Sequence, residues 1–327
     1  MSGTLALRTW WAQHPPAAGA AVMATGIVSI GLHLAGLEVL SRIVLALAGM
    51  AWLGLAAGFV LRLLRERDRW LAEARSPAAL TAVAATTVLG TRMSQLGRQG
   101  LAEVLLALAV ALWLGLIVPV VRNWGRRMPG SVFLGCVATE GIAVLGAVLA
   151  AAVGVAWFAH LALVFFWLGL VFYLAGLRRF DLRQVATGAG DHWVLGGALA
   201  ISTLAGARLV GAAHSGPRLW SDDDTGVLRS VTVALLALEA VCYCVLAAAE
   251  LRWPRPRYDV RRWATVFPLG ITAVAALSVA TSVGVPWLRG IGLVLLWIAV
   301  AAWCAVLAGA ARSAWSAREG IRSTGPR

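Results

Sequence analysis

Two carboxylates stand out because each lies in the middle of a long apolar run. Glu140 interrupts the stretch VATEGIAV, and Glu239 interrupts the stretch LLALEAVCYC. A carboxylate in such surroundings is costly to bury, so it is a candidate for binding a proton or a cation, or for pairing with an arginine. For Glu140 the alternative is a protonated side chain that is hydrogen-bonded to a neighbouring helix. For Glu239 we expect a hydrogen bond between helices or between subunits.

Two arginines, Arg92 and Arg208, lie where apolar runs end. Two guanidinium groups at one end of a helix bundle would form a positive collar that attracts anions. The alternative is that both side chains extend to the water interface, as arginines at the ends of membrane helices commonly do. The sequence leaves both interpretations open.

A further candidate is the pair Phe267-Pro268, near the start of the apolar stretch WATVFPLGITAVAALSVA (263–280). Because proline has no N–H group, the carbonyl of Ala264 loses its helical partner, and the helix is expected to bend. A phenylalanine ring at such a bend is predicted to close a narrow pore. The alternative is an ordinary proline kink beside a packed phenylalanine, since proline is common in membrane helices.

The sequence shows no pattern typical of a disulfide, a metal site or a catalytic motif. The four cysteines lie inside apolar runs without metal-ligand spacing to a histidine, so we expect no disulfide and no metal site. We find no glycine-rich phosphate loop and no HExxH or GxSxG motif. The sequence therefore predicts a protein that is not an enzyme and needs no cofactor.

The composition indicates a membrane protein. Of the 327 residues, 60% are hydrophobic and 13% are charged, and the mean hydropathy is +0.81. Several runs reach the roughly 20 residues that a membrane-spanning helix needs. We predict an all-α integral membrane protein with a single transmembrane domain over 1–327 and a cytoplasmic tail at 311–327. The ten predicted spans are 16–34, 42–62, 77–91, 101–121, 131–152, 156–177, 192–213, 227–250, 263–284 and 288–310.

The arginines set the predicted orientation. If the N-terminus is cytoplasmic, 21 of the 28 arginines fall in segments on the cytoplasmic side. By the positive-inside rule, both termini of a multi-pass protein in the cell membrane are then cytoplasmic. The alternation also supports an even number of spans, because one miscounted span would reverse the side of every later segment.

Hydroxyl side chains alternate between the predicted spans. Fifteen serines and threonines lie in odd-numbered spans and two in even-numbered spans, whereas most aromatic residues lie in even-numbered spans. This pattern predicts five helical hairpins, each with an inner helix at a central pore and an outer helix facing lipid. The alternative is that the hydroxyls join helices by hydrogen bonds. The candidate pore-lining residues are Thr25, Ser29, Thr86, Thr87, Thr139, Glu140, Ser202, Thr203 and Thr272.

Four stretches, in order along the chain, resemble the tellurite-resistance/dicarboxylate transporter family, which includes the slow-type plant anion channels. They are PPAAGAAVMATGIVSIG (15–31), FFWLGLVFYL (165–174), DHWVLGGALAISTLAGA (191–207) and RYDVRRWATVFPLGITAVA (257–275). The resemblance implies ten helices in five hairpins around a central pore, often in a homotrimer. It also implies that Phe267 matches the phenylalanine that occludes the pore in that family.

The expected function is the passage of a small anion across the membrane. The resemblance leaves the anion open, because family members move malate, sulfite, chloride or nitrate, or are tellurite-resistance proteins. One possibility is a C4-dicarboxylate transporter coupled to protons through Glu140. The alternatives are a gated anion channel, a tellurite-resistance-type efflux protein, and a membrane scaffold or sensor without transport. The expected partners are a small anion, the lipid bilayer and other copies of the chain, and no nucleic acid is expected despite the net charge of +13.

Overall fold

The computed structural model describes residues 15–215, 222–254 and 259–323, and most of these residues are helical. Ten of the helices overlap the ten predicted spans, and two short helices, Arg67–Ala74 and Gln184–Thr187, lie in connecting segments. The predicted tail at 311–327 continues the last helix as far as Ser323, and residues 324–327 lie outside the described residues. The α-helices are α1 (Pro15–Leu34), α2 (Glu38–Arg65), α3 (Arg67–Ala74), α4 (Thr81–Gln95), α5 (Gln99–Arg122), α6 (Leu134–Val153), α7 (Ala156–Leu177), α8 (Gln184–Thr187), α9 (Val194–Ser215), α10 (Asp222–Arg252), α11 (Trp263–Val279) and α12 (Leu288–Ser323).

Eight helices of the described chain are long and apolar enough to cross a membrane, judged by length and composition. They are α2, α5, α6, α7, α9, α10, α11 and α12, some of them together with a flanking helical turn. The apolar part of α1, Gly19–Leu34, is shorter, and α4 has only 15 residues, several of them threonines. The chain is therefore a multi-pass membrane protein, and membrane crossing by α1 and α4 stays a prediction.

The long helices fall into two classes by burial. In the apolar windows of α6, α9 and α11, 94%, 83% and 89% of the residues are buried within the protein. In α2, α10 and α12 the buried shares are only 17%, 22% and 17%. The second class exposes leucine, valine and tryptophan side chains over most of its length. Such extended apolar surface is unfavourable in water and suits the hydrocarbon of a bilayer.

The buried helices form a closed ring. Consecutive helices pack in pairs, namely α1 with α2, α4 with α5, α6 with α7, α9 with α10 and α11 with α12. The first helix of each pair also packs against the first helix of the next pair, and α11 packs against α1. We call α1, α4, α6, α9 and α11 the inner helices, and α2, α5, α7, α10 and α12 the outer helices.

Glycines let the inner helices approach one another closely. At six such glycines an added Cβ would come within 3.0 Å of a side chain on the neighbouring inner helix. Small residues at helix interfaces permit this close approach of backbones in membranes. The facing pairs are Gly19–Thr81, Gly26–Val88, Gly90–Leu145, Gly141–Thr87, Gly197–Pro268 and Gly270–Ile27.

We predict that Gly197→Ala destabilises the protein. An added Cβ at this position would lie 2.8 Å from Cγ of Pro268, and a proline ring cannot rotate away. We expect a loss of about 1–3 kcal/mol, as is typical of overpacking, although alanine is the better helix former. The measurement is the thermal unfolding midpoint of the purified protein in detergent.

The matched control for this experiment is Gly115→Ala on α5. Gly115 is exposed, and a Cβ added there would have no neighbouring atom within 4 Å, so its substitution should be neutral or slightly stabilising. Equal unfolding midpoints for the two variants would contradict close packing between α9 and α11.

Candidate functional site

Three threonines of the inner helices are bonded to tryptophans of the outer helices. In each case the indole N–H donates to the threonine Oγ1. The tryptophan belongs to the pair of packed helices that, going around the ring, precedes the pair that carries the threonine. The bond therefore ties neighbouring hairpins together and turns the threonine towards the outside of the ring. The pairs are Trp303–Thr25 at 3.1 Å, Trp52–Thr86 at 3.0 Å and Trp113–Thr139 at 2.9 Å.

Two further predicted pore-lining hydroxyls also lie at helix contacts. Ser29 donates to the backbone carbonyl of Ser41 on α2 at 2.8 Å, and Ser41 donates to the carbonyl of Ser29 at 2.7 Å. Thr87 packs against Gly141 on α6 and donates to the carbonyl of Ala84 at 2.9 Å. Both hydroxyls therefore have partners within the protein at helix contacts, and their place in a pore lining stays a prediction.

Arg92 does not act as a free positive charge. Its side chain is fully buried, and Nη2 donates to both carboxylate oxygens of Glu38 at 2.8 and 2.9 Å. Its Nε donates to Oγ of Ser41 at 3.1 Å. The ion pair with Glu38 neutralises the guanidinium group and ties α4 to α2, so the predicted two-arginine collar loses one member.

Glu140 lies at the junction of α6, α7 and α9. It is fully buried, accepts a hydrogen bond from Oγ of Ser202 at 2.9 Å and packs directly against Gly169 on α7. Its second carboxylate oxygen has no hydrogen-bond partner among the described residues. Since α7 is an outer helix, the Glu140 carboxyl group sits at the back of the ring, and neither Glu140 nor Ser202 has the predicted position in the lining.

Glu239 on α10 reaches between two inner helices. It is 1% exposed, and its carboxyl group lies beside the hydroxyls of Thr203 on α9 and Thr272 on α11. Neither carboxylate oxygen has a hydrogen bond of good geometry to a described residue. Glu239 therefore makes the same kind of contact as the three tryptophans described above. Its side chain reaches from an outer helix to an inner helix of the next helix pair. Thr203 and Thr272 accordingly belong to this contact and not to the ring interior.

The start of α11 is fixed by several polar contacts. A single 3-10 turn, Val260–Arg262, precedes the helix. Arg262 donates to Glu250 at the end of α10 at 2.7 Å, and Oγ1 of Thr265 donates to the carbonyl of Gly190 at 3.2 Å. Pro268 lies against Gly197 on α9. These contacts set the position of the turn that carries Phe267.

A cavity of about 600 Å³ lies at the end of the ring where the inner helices finish. Four inner helices contribute to it, from the last turns of α4, α6, α9 and α11 and the turn that follows α11. Its wall combines small apolar residues with a few polar ones, and Arg208 is the only charged residue among the described residues that line it. The lining residues are Ser94, Gln95, Ala147, Val148, Ala151, Ala152, Ala207, Arg208, Gly211, Ala212, Ser278, Thr281 and Ser282.

The cavity shows which face of α11 is turned towards the ring interior. Ser278 lines the cavity, and Phe267 precedes it by eleven residues, which is close to three full turns of an α-helix. Phe267 therefore shares the face of Ser278 and lies about 16 Å from it along the helix. Its ring is 2% exposed. Thr272 is rotated from Phe267 by about 140° at 100° per residue, in agreement with its contact with Glu239.

The polar residues of the cavity could not be recognised as a group from the sequence. Ser278, Thr281 and Ser282 stand out there only as hydroxyls of an odd-numbered span. In the structure α11 is followed by a π-helical turn, Ala280–Gly284, whose Val283 carbonyl accepts a hydrogen bond from Arg229 at 2.8 Å. Such turns occur often at functional sites, but no residue pattern in the sequence indicated this one.

The chain matches one known family over most of its length. The sequence profile described as "voltage-dependent anion channel" matches residues 13–311. The chain belongs to the voltage-dependent anion channel family. This finding confirms the resemblance to the tellurite-resistance/dicarboxylate transporters and the slow-type anion channels, and it supports anion transport or channel activity.

The curated relatives that match are membrane proteins of Mycobacterium tuberculosis. The uncharacterized membrane protein found in two strains of that organism is 30% identical to this chain over 118 residues. The match covers 34% of this chain and spans 58% of the length of that relative. It supports membrane location and gives no information on the substrate.

We predict that Thr139→Val destabilises the protein because it leaves the buried indole N–H of Trp113 without an acceptor. An unsatisfied buried donor costs about 1–3 kcal/mol. The measurement is a double-mutant cycle with Trp113→Phe, read from thermal unfolding in detergent. The double variant should lose clearly less stability than the sum of the two single losses.

The control for the cycle is Thr187→Val, which removes an exposed hydroxyl outside the ring and should have little effect. Additive losses for Thr139→Val and Trp113→Phe would mean that the bond between the two hairpins contributes nothing to stability.

Proposed function

We propose that the inner ring encloses a pathway for small anions across the membrane and that Phe267 is its gate. The observation that carries the proposal is the alignment of Phe267 with Ser278 on the face of α11 that lines the cavity. The cavity then forms the wide end of the pathway, and Phe267 closes it near the opposite end of the helix. Membership of the voltage-dependent anion channel family also supports a pathway for anions.

The proposal includes α1 and α4 as membrane-spanning helices, which gives ten spans in five hairpins. Both helices contribute to the closed ring and are flanked by outer helices that expose apolar side chains. The arginine distribution favours a cell-membrane protein with both termini in the cytoplasm. A homotrimer in the lipid bilayer follows from the family resemblance.

The interior of the pathway between the cavity and the gate is apolar in this proposal. Ile271 lies one turn after Phe267, and Leu204 lies one turn before Arg208, so each continues the face turned towards the ring interior. An apolar constriction holds back hydrated ions and can gate by excluding water. Displacement of the Phe267 ring would widen the constriction without breaking a hydrogen bond, because the ring has no polar atom.

Proton-coupled transport of a dicarboxylate such as malate is the second candidate function. The position of the Glu140 carboxyl group behind the ring gives that route little support. The position of Glu239 favours proton-coupled transport, because its carboxyl group lies between two inner helices and has no hydrogen bond of good geometry to a described residue. Proton uptake that accompanies anion flux and is lost in Glu239→Gln, but kept in Glu140→Gln, would establish this second function.

We predict that Phe267→Ala greatly increases anion flux in liposomes, because it removes the apolar ring that closes the pathway. The measurement compares chloride, nitrate and malate flux in wild-type and variant proteins of equal purity and orientation. The matched control is Phe165→Ala, the same deletion at a buried ring on outer helix α7, which should leave flux unchanged. Equal flux for Phe267→Ala and the wild type, with folding verified, would refute the gate.

A further inference from the structure

We propose that a groove between the outer helices α2 and α5 binds one anionic phospholipid. The acyl chain lies in the groove, and the phosphate group meets the arginines where α2 ends. The proposal does not depend on the pathway or the gate, because it concerns the outer surface of the ring and not its interior.

The groove is lined mainly by apolar side chains. It has a volume of about 330 Å³, and α4 contributes its floor between α2 and α5. Leu108 of α5 lines the groove although it is 38% exposed, so the groove opens on the apolar surface of the outer helices. Water would find few hydrogen-bond partners in such a groove, so its chemistry suits an acyl chain.

The neighbouring junction on the ring, between α5 and α7, is filled by aromatic rings instead. There Phe165 and Phe172 pack edge-on against Trp113, with ring centroids 5.1 and 6.4 Å away. At the groove the equivalent tryptophan, Trp52, shares the lining with the smaller side chain of Leu108. The space that the protein fills with its own rings at one junction is thus left open at the other.

The length of the groove matches one leaflet of a bilayer. Along α2 its lining runs from Trp52, which donates to Thr86 of α4, to Arg62 near the helix end. Ten residues of α-helix correspond to about 15 Å. This is about half the thickness of the hydrocarbon core, which is the depth that a single acyl chain occupies.

The mouth of the groove has features of the membrane interface. Trp70 of α3 lies there, and its ring packs edge-on against Phe59 with centroids 5.3 Å apart. Tryptophan is enriched at the level of the lipid headgroups. Arg62 and Glu73 face each other at the mouth, with 3.7 Å between Nε and Oε2. The carboxylate of Glu73 is therefore neutralised and does not repel an anionic headgroup.

The charges around the mouth favour a negatively charged headgroup. The segment 62–75 contains five arginines and three acidic residues, so its net charge is +2. Arg65 and Arg67 are exposed within this segment. Guanidinium groups bind phosphate through paired hydrogen bonds, and basic residues beside membrane helices attract anionic lipids. Phosphatidylglycerol, with one net negative charge, should thus be preferred to the neutral phosphatidylcholine.

The test compares phospholipids added to the purified protein in detergent. Native mass spectrometry counts the lipids that stay bound to each chain. Thermal unfolding reports their affinity, since a ligand of the folded state raises the midpoint. We expect one tightly bound phosphatidylglycerol per chain and weaker binding of phosphatidylcholine with the same acyl chains. Short-chain phosphatidylglycerol and glycerol phosphate should also bind much more weakly, because they cannot fill the groove.

A variant that fills the groove tests where the acyl chain lies. Leu108→Trp should weaken phosphatidylglycerol binding by about tenfold or more, since displacing even two methylene groups of the chain has that effect. The matched control is Leu114→Trp, the same change on α5 at a residue that is 62% exposed and lies outside the groove lining. It should leave binding unchanged.

Charge variants test the headgroup contact. Arg65→Gln combined with Arg67→Gln should weaken phosphatidylglycerol binding by about thirtyfold and leave phosphatidylcholine binding unchanged. The control combines Arg178→Gln with Arg183→Gln, which removes two exposed arginines from another connecting segment and should have no effect on either lipid.

Several outcomes would overturn the inference. Equal binding of phosphatidylcholine and phosphatidylglycerol to the wild type would do so, whether or not the variants fold. Unchanged phosphatidylglycerol binding in a folded Leu108→Trp variant would place the lipid elsewhere. If that variant also loses its oligomeric state, another copy of the chain fills the groove. Stabilisation by glycerol phosphate as large as that by the lipid would assign the site to a free phosphate.

Discussion

The arrangement of the inner ring depends on how its hydroxyl groups are satisfied inside a membrane. Hydrocarbon offers no hydrogen bonds, so each buried polar group needs a partner within the protein. Three outer-helix tryptophans supply that partner by donating to a threonine of the next hairpin. The same bond does two things at once, because it joins consecutive hairpins and turns a polar side chain away from the ring interior.

The apolar character of the interior follows from this arrangement. Where tryptophans hold the hydroxyls outward, the inner helices present mainly small and apolar residues to one another, and glycines bring their backbones close together. Several polar side chains, including Arg208, line the cavity where the inner helices end.

The sequence was informative about helices and much less informative about their faces. Long apolar runs locate the helices because the bilayer requires them. The hydroxyl count separates the two classes in part because three threonines of the inner helices accept hydrogen bonds from tryptophans of the outer helices. The count could not show that Thr25 and Thr86 point outward, since a hydroxyl that lines a pore and one that joins two helices look alike in a sequence. Arg92 was misjudged for a similar reason, because its partner Glu38 lies 54 residues away.

The central claim is that the face of α11 marked by Phe267 lines the pathway, and labelling of single cysteines tests it most directly. The four native cysteines are replaced by alanine, Phe267→Ala opens the pathway, and Ile271→Cys or Thr272→Cys is added. A charged, membrane-impermeant thiol reagent is then applied to the protein in liposomes. If the claim holds, we expect rapid labelling and block of flux for Ile271→Cys and slow labelling for Thr272→Cys. Equal labelling at both positions, or faster labelling at position 272, would contradict it.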